Sequence, residues 1–305
     1  MSASYGERVP EKSSDTCYRH PSRQSFVLCQ RCGRTICTDC QTQAPVGVIC
    51  PECLKQGQPK QRPVSQRVGR VLASDKPVIT YGIIAICAVV YLFQWLTGGL
   101  VTQALWYAPL YSLPGDTFPA GVAQFGFEPW RMITSMFAHS TGFLLHIVFN
   151  MYTLWIFGRM LESFLGKLRF AALYLVAGFA GSVMVLLSGY MNIDYLRTPV
   201  VGASGAIFGL MGAFLIVQRK LGSNVTQLLV LLAINFGISF MPGTNIAWQA
   251  HVGGFIGGVV IGLIYLNTRK PSQKWLQLGL MIAWSAVLIA LSFAYFVWSP
   301  LQVSV

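Results

Sequence analysis

Long apolar segments recur along this chain, each about as long as a bilayer is thick, with short polar connections between them. A spanning helix needs about 20 mostly apolar residues. Seven stretches qualify: 78–99, 143–162, 168–190, 202–218, 224–242, 247–267 and 275–298. No other feature constrains the fold as much. Lipid offers the backbone no hydrogen-bond partner, so stretches of this length must satisfy their own N–H and C=O groups as helices. Composition agrees: only 10% of the 305 residues are charged, against about 25% in soluble domains.

The net charge of +12 invites a nucleic-acid partner. The placement of the basic residues argues against one. Lys55, Lys60, Arg62, Arg67, Arg70 and Lys76 precede the first span. Arg159, Lys167 and Arg169 lie around the second connection, Arg219 and Lys220 in the fourth, and Arg269, Lys270 and Lys274 in the sixth. The alternate connections carry Arg131, Arg197 or nothing basic. Membrane proteins keep such residues on the cytoplasmic side. The expectation is a multi-pass protein of the plasma membrane, N-terminus cytoplasmic and C-terminus extracytoplasmic. The opening MSASYGERVPEKSSD has no apolar core of a cleavable signal peptide.

Seven of the eight cysteines precede residue 54. In a reducing cytosol, clustered cysteines bind metal more often than they form disulfides. Cys17–His20, Cys29–Cys32, Cys37–Cys40 and Cys50–Cys53 each enclose two residues, so one short turn can present two ligands to a tetrahedral ion. Eight ligands make two sites. Disulfides or an iron–sulfur cluster are the alternatives; uniform spacing that includes one histidine favours Zn2+. Spacing alone leaves open which pairs share an ion. An alternating scheme groups Cys17, His20, Cys37 and Cys40 on one ion and Cys29, Cys32, Cys50 and Cys53 on the other. So short a segment buries little core, so metal must supply most of its folding energy. With no open coordination position, the module reads as structural, or as a docking point for a cytosolic protein partner.

Polar groups inside spans are expensive and by default functional. Of four histidines, His139, His146 and His251 fall in or beside spans. The topology brings His146, Asn150, Ser204 and His251 to similar depth near the outer face. A serine hydroxyl needs a base to become nucleophilic, and histidine is the usual one. The resulting oxyanion needs fixed donors, which His146, Asn150 and the first-turn amide of Ser204 can supply. No carboxylate lies nearby, so the unit is a Ser204–His251 dyad. Gly205 and Gly209, and Gly254 and Gly258, form small-residue faces that let two spans approach closely. The bland reading is a serine bonded to its own helix in a glycine-rich transporter. A transporter would need charges deep in the spans, and none is evident.

These residues together resemble the rhomboid family of intramembrane serine proteases. EPWRMITSMFAH at 128–139 is similar to the family's Trp-Arg segment, and HIVFN at 146–150 to its His-x-x-x-Asn motif. GASGAIFG at 202–209 resembles Gly-x-Ser-Gly, and AHVGGFIGG at 250–258 resembles Ala-His-x-x-Gly-x-x-x-Gly. The resemblance implies Ser204 as nucleophile and His251 as base. It implies an oxyanion hole of His146, Asn150 and the Ser204 amide, with Gly202 giving room, and no cofactor for catalysis. Three features depart from it: the segment from His139 to His146 is longer than in many relatives, Phe208 stands where some have tyrosine, and the seventh span and the N-terminal cysteine module lie outside the core resemblance. The cysteine module resembles the cross-braced B-box zinc finger.

The expectation is an all-α polytopic membrane protein. A disordered tail (1–16) precedes a zinc-binding B-box-like module (17–54) and a basic linker (55–76). A six-helix rhomboid-like core (77–268) and a seventh transmembrane helix with a C-terminal tail (269–305) follow. Its substrates would be transmembrane proteins in the bilayer, cut near the outer face. The alternative is a catalytically silent rhomboid-like protein that binds or escorts membrane clients.

Overall fold

Apolar sequence without inner partners becomes helix, and the computed structural model is dominated by helices. It describes residues 15–44, 47–57, 76–113, 126–241 and 246–298. Most of the expected tail (1–14), most of the basic linker (58–75) and the C-terminal residues 299–305 lie outside the described residues. The chain divides into two units, Met1–Arg70 and Val71–Val305.

The first unit holds a two-stranded antiparallel sheet, β1 (Thr42–Gln43) and β2 (Val48–Ile49), and a short helix α1 (Pro51–Gly57). Its core is six of the cysteines packed around Ile36. Asp15 and Thr16, expected in the tail, belong to this unit: the Asp15 carbonyl accepts from Ser25 N–H at 2.9 Å, and Thr16 bridges Gln24.

The second unit opens with α2 (Val78–Leu96) and two short helices, α3 (Leu100–Leu105) and α4 (Arg131–Thr134). Then come α5 (Leu144–Leu165), α6 (Lys167–Ser188), α7 (Ser204–Lys220), α8 (Thr226–Ser239), α9 (Trp248–Asn267), α10 (Lys274–Ser292) and α11 (Ala294–Val297). Five helices among the described residues are long and apolar enough to cross a membrane: α2, α5, α6, α9 and Pro271–Ser292, which contains α10. The expected fourth and fifth spans are shorter, 17 residues in α7 and 14 in α8. For α7 the reason is its surroundings. Every residue from Gly205 to Ala213 is buried, so its neighbours are protein rather than lipid and it has little need of apolar bulk.

Glycine sets the spacing of the central helices. A side chain on Gly254 would collide with the carbonyl of Gly205, and one on Gly258 with the carbonyl of Gly209. Backbone therefore lies on backbone where α7 crosses α9, as small residues allow in membranes. On the third side, Gly209 faces Ala177 of α6, and Gly181 of α6 faces the Ala250 carbonyl.

Polar clamps fix the outer helices. Glu162 on α5 is buried and accepts from Ile79 N–H (2.9 Å), Thr80 N–H (2.8 Å) and the Thr80 hydroxyl (2.7 Å). The first amides of a helix have no partner inside it and carry partial positive charge, so this carboxylate caps α2. The Arg131 guanidinium donates to Glu128 Oε2 (2.5 Å) and to the carbonyls of Gln103 (2.6 Å) and Trp106 (3.2 Å), and lies over the Tyr111 ring. It thereby ties α3 and α4 together. The Ser182 hydroxyl, donating to the Met132 carbonyl at 2.7 Å, fastens α4 to α6.

Candidate active site

Ser204 is the first residue of α7, and the loop before it has a backbone only glycine adopts readily. Gly202 has φ +128°, and its N–H donates to the Ser135 carbonyl at 2.9 Å. A Cβ there would stand 2.9 Å from His146 Nε2 and 3.7 Å from Ser204 Oγ. The bare glycine thus keeps open a small space bordered by an imidazole nitrogen and a hydroxyl. His146, near the start of α5, accepts at Nδ1 from Ser140 N–H at 3.3 Å. With Nδ1 acting as acceptor, a neutral ring carries its proton on Nε2, the nitrogen beside that space.

His251 lies one helical turn into α9 and is buried. The Phe208 ring, one turn after Ser204 on α7, stacks on it with centroids 4.1 Å apart and planes 13° apart. Next to it in sequence, the Ala250 carbonyl and Cβ pack on Gly205. Ser204 and His251 therefore stand on the two helices that glycine brings together. No hydrogen bond joins them among the described residues. Asn150 shares the His146 face of α5, but its amide nitrogen donates to the His146 carbonyl at 2.7 Å, and its Oδ1 is buried without a partner.

Residues 126–268 match the Rhomboid domain. RHOMBOID-like protein 6, mitochondrial, of Arabidopsis thaliana is 37% identical over 158 residues, covering 49% of this chain and 47% of that protein. Rhomboid protease GluP of Bacillus subtilis is 32% identical over 207 residues, covering 65% of this chain and 37% of that protein. The rhomboid-named protein YdcA of Bacillus subtilis is 33% identical over 204 residues, covering 65% of this chain and 92% of that protein. The chain belongs to the rhomboid family. It spans less than half the length of the first curated relatives it matches.

The partners of three polar residues of this rhomboid core escape a reading of its sequence. Gln94, fully buried on α2, grips the backbone of His139: its Oε1 accepts from His139 N–H (3.0 Å) and its Nε2 donates to the His139 carbonyl (2.9 Å) and to Thr102 Oγ1 (2.8 Å). His139 is held buried against His146, ring centroids 5.3 Å apart, with neither ring nitrogen bonded. Ser239 lies at the end of α8, 3.1 Å from His251 Nδ1, and Glu162 caps α2. The only signal each gives in sequence is a polar letter in an apolar helix.

In the first unit the eight ligands form two clusters, Cys17–His20–Cys37–Cys40 and Cys29–Cys32–Cys50–Cys53, with ligand atoms within 4.8 Å of one another. His20 Nδ1 lies 3.3, 3.4 and 3.9 Å from the sulfurs of Cys37, Cys40 and Cys17. The Cys32 and Cys50 sulfurs are 3.8 Å apart, far beyond the ~2.05 Å of a disulfide. Sulfurs held at ~2.3 Å in a tetrahedron stand about 3.8 Å apart, so the donor set fits one ion per cluster. Electrostatics agree. Burial opposes charge on Cys17, yet N–H groups of Cys37, Arg19 and His20 hold its thiol down at about 6. Burial and the neighbouring Cys17 and Cys37 push the Cys40 thiol up to about 11. Neighbouring thiolates repel, and a shared cation relieves that repulsion.

Proposed function

We propose that this rhomboid protein is an intramembrane serine endopeptidase, with Ser204 as nucleophile and His251 as general base. The observation that carries the reading is the space kept by Gly202, bordered by the Ser204 hydroxyl and by His146 Nε2. A substrate carbonyl oxygen placed there faces a proton donor while its carbon meets the hydroxyl. His251 takes the Ser204 proton as Oγ bonds to the carbonyl carbon, and the carbonyl π pair becomes the oxyanion. His146 Nε2–H and the unpaired Ser204 amide at the head of α7 stabilise that charge. Collapse of the intermediate expels the amine, which takes the proton from His251. Water, activated by the same base, then releases the acyl group.

The substrate is the transmembrane segment of another protein, cut near the outer face of the plasma membrane. It must unwind locally, because a regular helix hides its carbonyls. Asn150 acts at the hole only by giving its second N–H, since the first is bound to the helix. We further propose that the clusters hold two structural Zn2+ ions in a cytosolic module that recruits a protein partner. Bound there, zinc supplies folding energy to the module and no chemistry at Ser204.

Incubation of purified protein with a single-span test substrate decides between protease and silent escort. Wild type should cleave, and Ser204→Ala and His251→Ala should not. His146→Ala should lose about 10²–10³ in rate. Binding without cleavage by the wild type would favour the escort reading.

A further inference from the structure

His251 has no acidic partner, which leaves open what fixes its tautomer and ring orientation. In a Ser-His-Asp triad the carboxylate does both, binding Nδ1–H so that Nε2 presents its lone pair to the serine. On α8, the Ser239 Oγ lies 3.1 Å from His251 Nδ1, and both residues are buried. The hydroxyl has one proton, and the Asn235 carbonyl, 3.1 Å away and one turn back, can only accept it, so both contacts are bonded together only when Ser239 Oγ donates to Asn235. A hydroxyl that has spent its proton offers only lone pairs. His251 must then donate from Nδ1, which leaves Nε2 unprotonated.

Two further contacts support the assignment. Phe236, three residues before Ser239, sets its ring edge-on to His251 at 6.3 Å and to Phe208 at 4.8 Å. One helix thus supplies a wall and a hydrogen-bond acceptor to the same imidazole, while Phe208 covers the ring face. Ser239 is also the last residue of α8, where unpaired carbonyls carry partial negative charge that favours an imidazolium. A serine that only bonds its own helix would have no reason to stand against Nδ1.

We propose that Ser239 is the positioning residue of the dyad: it holds His251 as the Nδ1–H tautomer and so takes the place of a triad acid. This rests on the protease reading above. A neutral acceptor stabilises an imidazolium far less than a carboxylate does. Where losing the correct tautomer in a triad costs about ten-thousandfold, loss of Ser239 should cost about tenfold.

The test uses the full chain in detergent, with wild type, Ser239→Ala and Ser239→Thr. Ser239→Ala should lower kcat about tenfold with KM nearly unchanged, and Ser239→Thr, which restores a hydroxyl, should recover most of it. In 15N spectra of histidine-labelled protein, with His251 assigned by its loss in His251→Asn, the wild-type ring should be Nδ1-protonated and the Ser239→Ala ring a tautomer mixture. An unchanged kcat in Ser239→Ala would overturn the proposal. So would equal losses in the alanine and threonine variants with an unchanged His251 spectrum. If Ser239→Ala does not fold, the wild-type spectrum decides, and a ring protonated at Nε2 refutes the assignment. A wild type that cleaves nothing would refute the protease reading instead, and the spectrum would still judge Ser239.

Discussion

The cysteine module and the helical core face the same deficit and meet it by different means. The module is too small to bury a sizeable apolar core. The core is apolar throughout, but lipid is as apolar as a leucine side chain, so burying such surface does little to hold helices together. In the module the deficit is met by eight ligands converging on two points. In the core it is met by backbone contact at Gly254 and Gly258, with a few buried polar clamps at the edge. If the clusters hold the two proposed ions, one device is a few strong bonds to metal, the other many weak contacts that need exact spacing. The module should therefore fail all at once when its ions are taken, and the core in graded steps.

The largest expected effect is metal removal. Structural zinc contributes about 10–16 kcal/mol to such modules. A strong chelator should make residues 15–57 sensitive to protease, while the helical core keeps its melting temperature. Elemental analysis of the full chain should give two zinc ions before chelation. A chelated protein whose module stays protected would break the comparison.

Next is Gly258→Leu. The new side chain meets the Gly209 backbone rather than a flexible neighbour, so the cost should reach about 3 kcal/mol or more. Thermal unfolding in detergent should report that loss with zinc content unchanged. A normal melt would mean that α7 and α9 part more easily than the backbone contacts imply.

Glu162→Ala should cost less, about 1–3 kcal/mol, because it strips partners from three donors at the head of α2. Gln94→Ala should cost least, about 1–2 kcal/mol, since only the His139 backbone and Thr102 lose a partner. Ranking these two against Gly258→Leu by melting temperature sharpens the claim that packing outweighs the clamps. An inverted order would contradict it.

The same contrast governs what could be read in advance. Metal ligands come in local pairs, which spacing shows; which pairs meet it leaves open, and the clusters adopt the alternating grouping. Glycines four residues apart likewise mark a helix face without naming its partner, and Gly205 and Gly254 do meet. The clamps are different. Gln94 and His139 are 45 residues apart, and Glu162 and Thr80 are 82 apart. Nothing in the local sequence of one points to the other. Ser239 was hidden for a further reason: a serine in an apolar helix ordinarily bonds its own i−4 carbonyl. Ser239 does so, and its contact with His251 comes in addition. Asn150 shows the converse. Its i, i+4 spacing from His146 placed both on one face, but could not reveal that its nitrogen turns to the helix backbone.

The central claim is that Ser204 is a nucleophile activated by His251. A fluorophosphonate probe, which bonds only to an activated serine oxygen, tests it without any choice of substrate. After treatment of the full chain, peptide mass mapping should find one adduct, on Ser204. His251→Ala should abolish it, and Ser239→Ala should slow its formation. An unlabelled Ser204 in a wild type that still cleaves its substrate, or equal labelling in His251→Ala, would contradict the account.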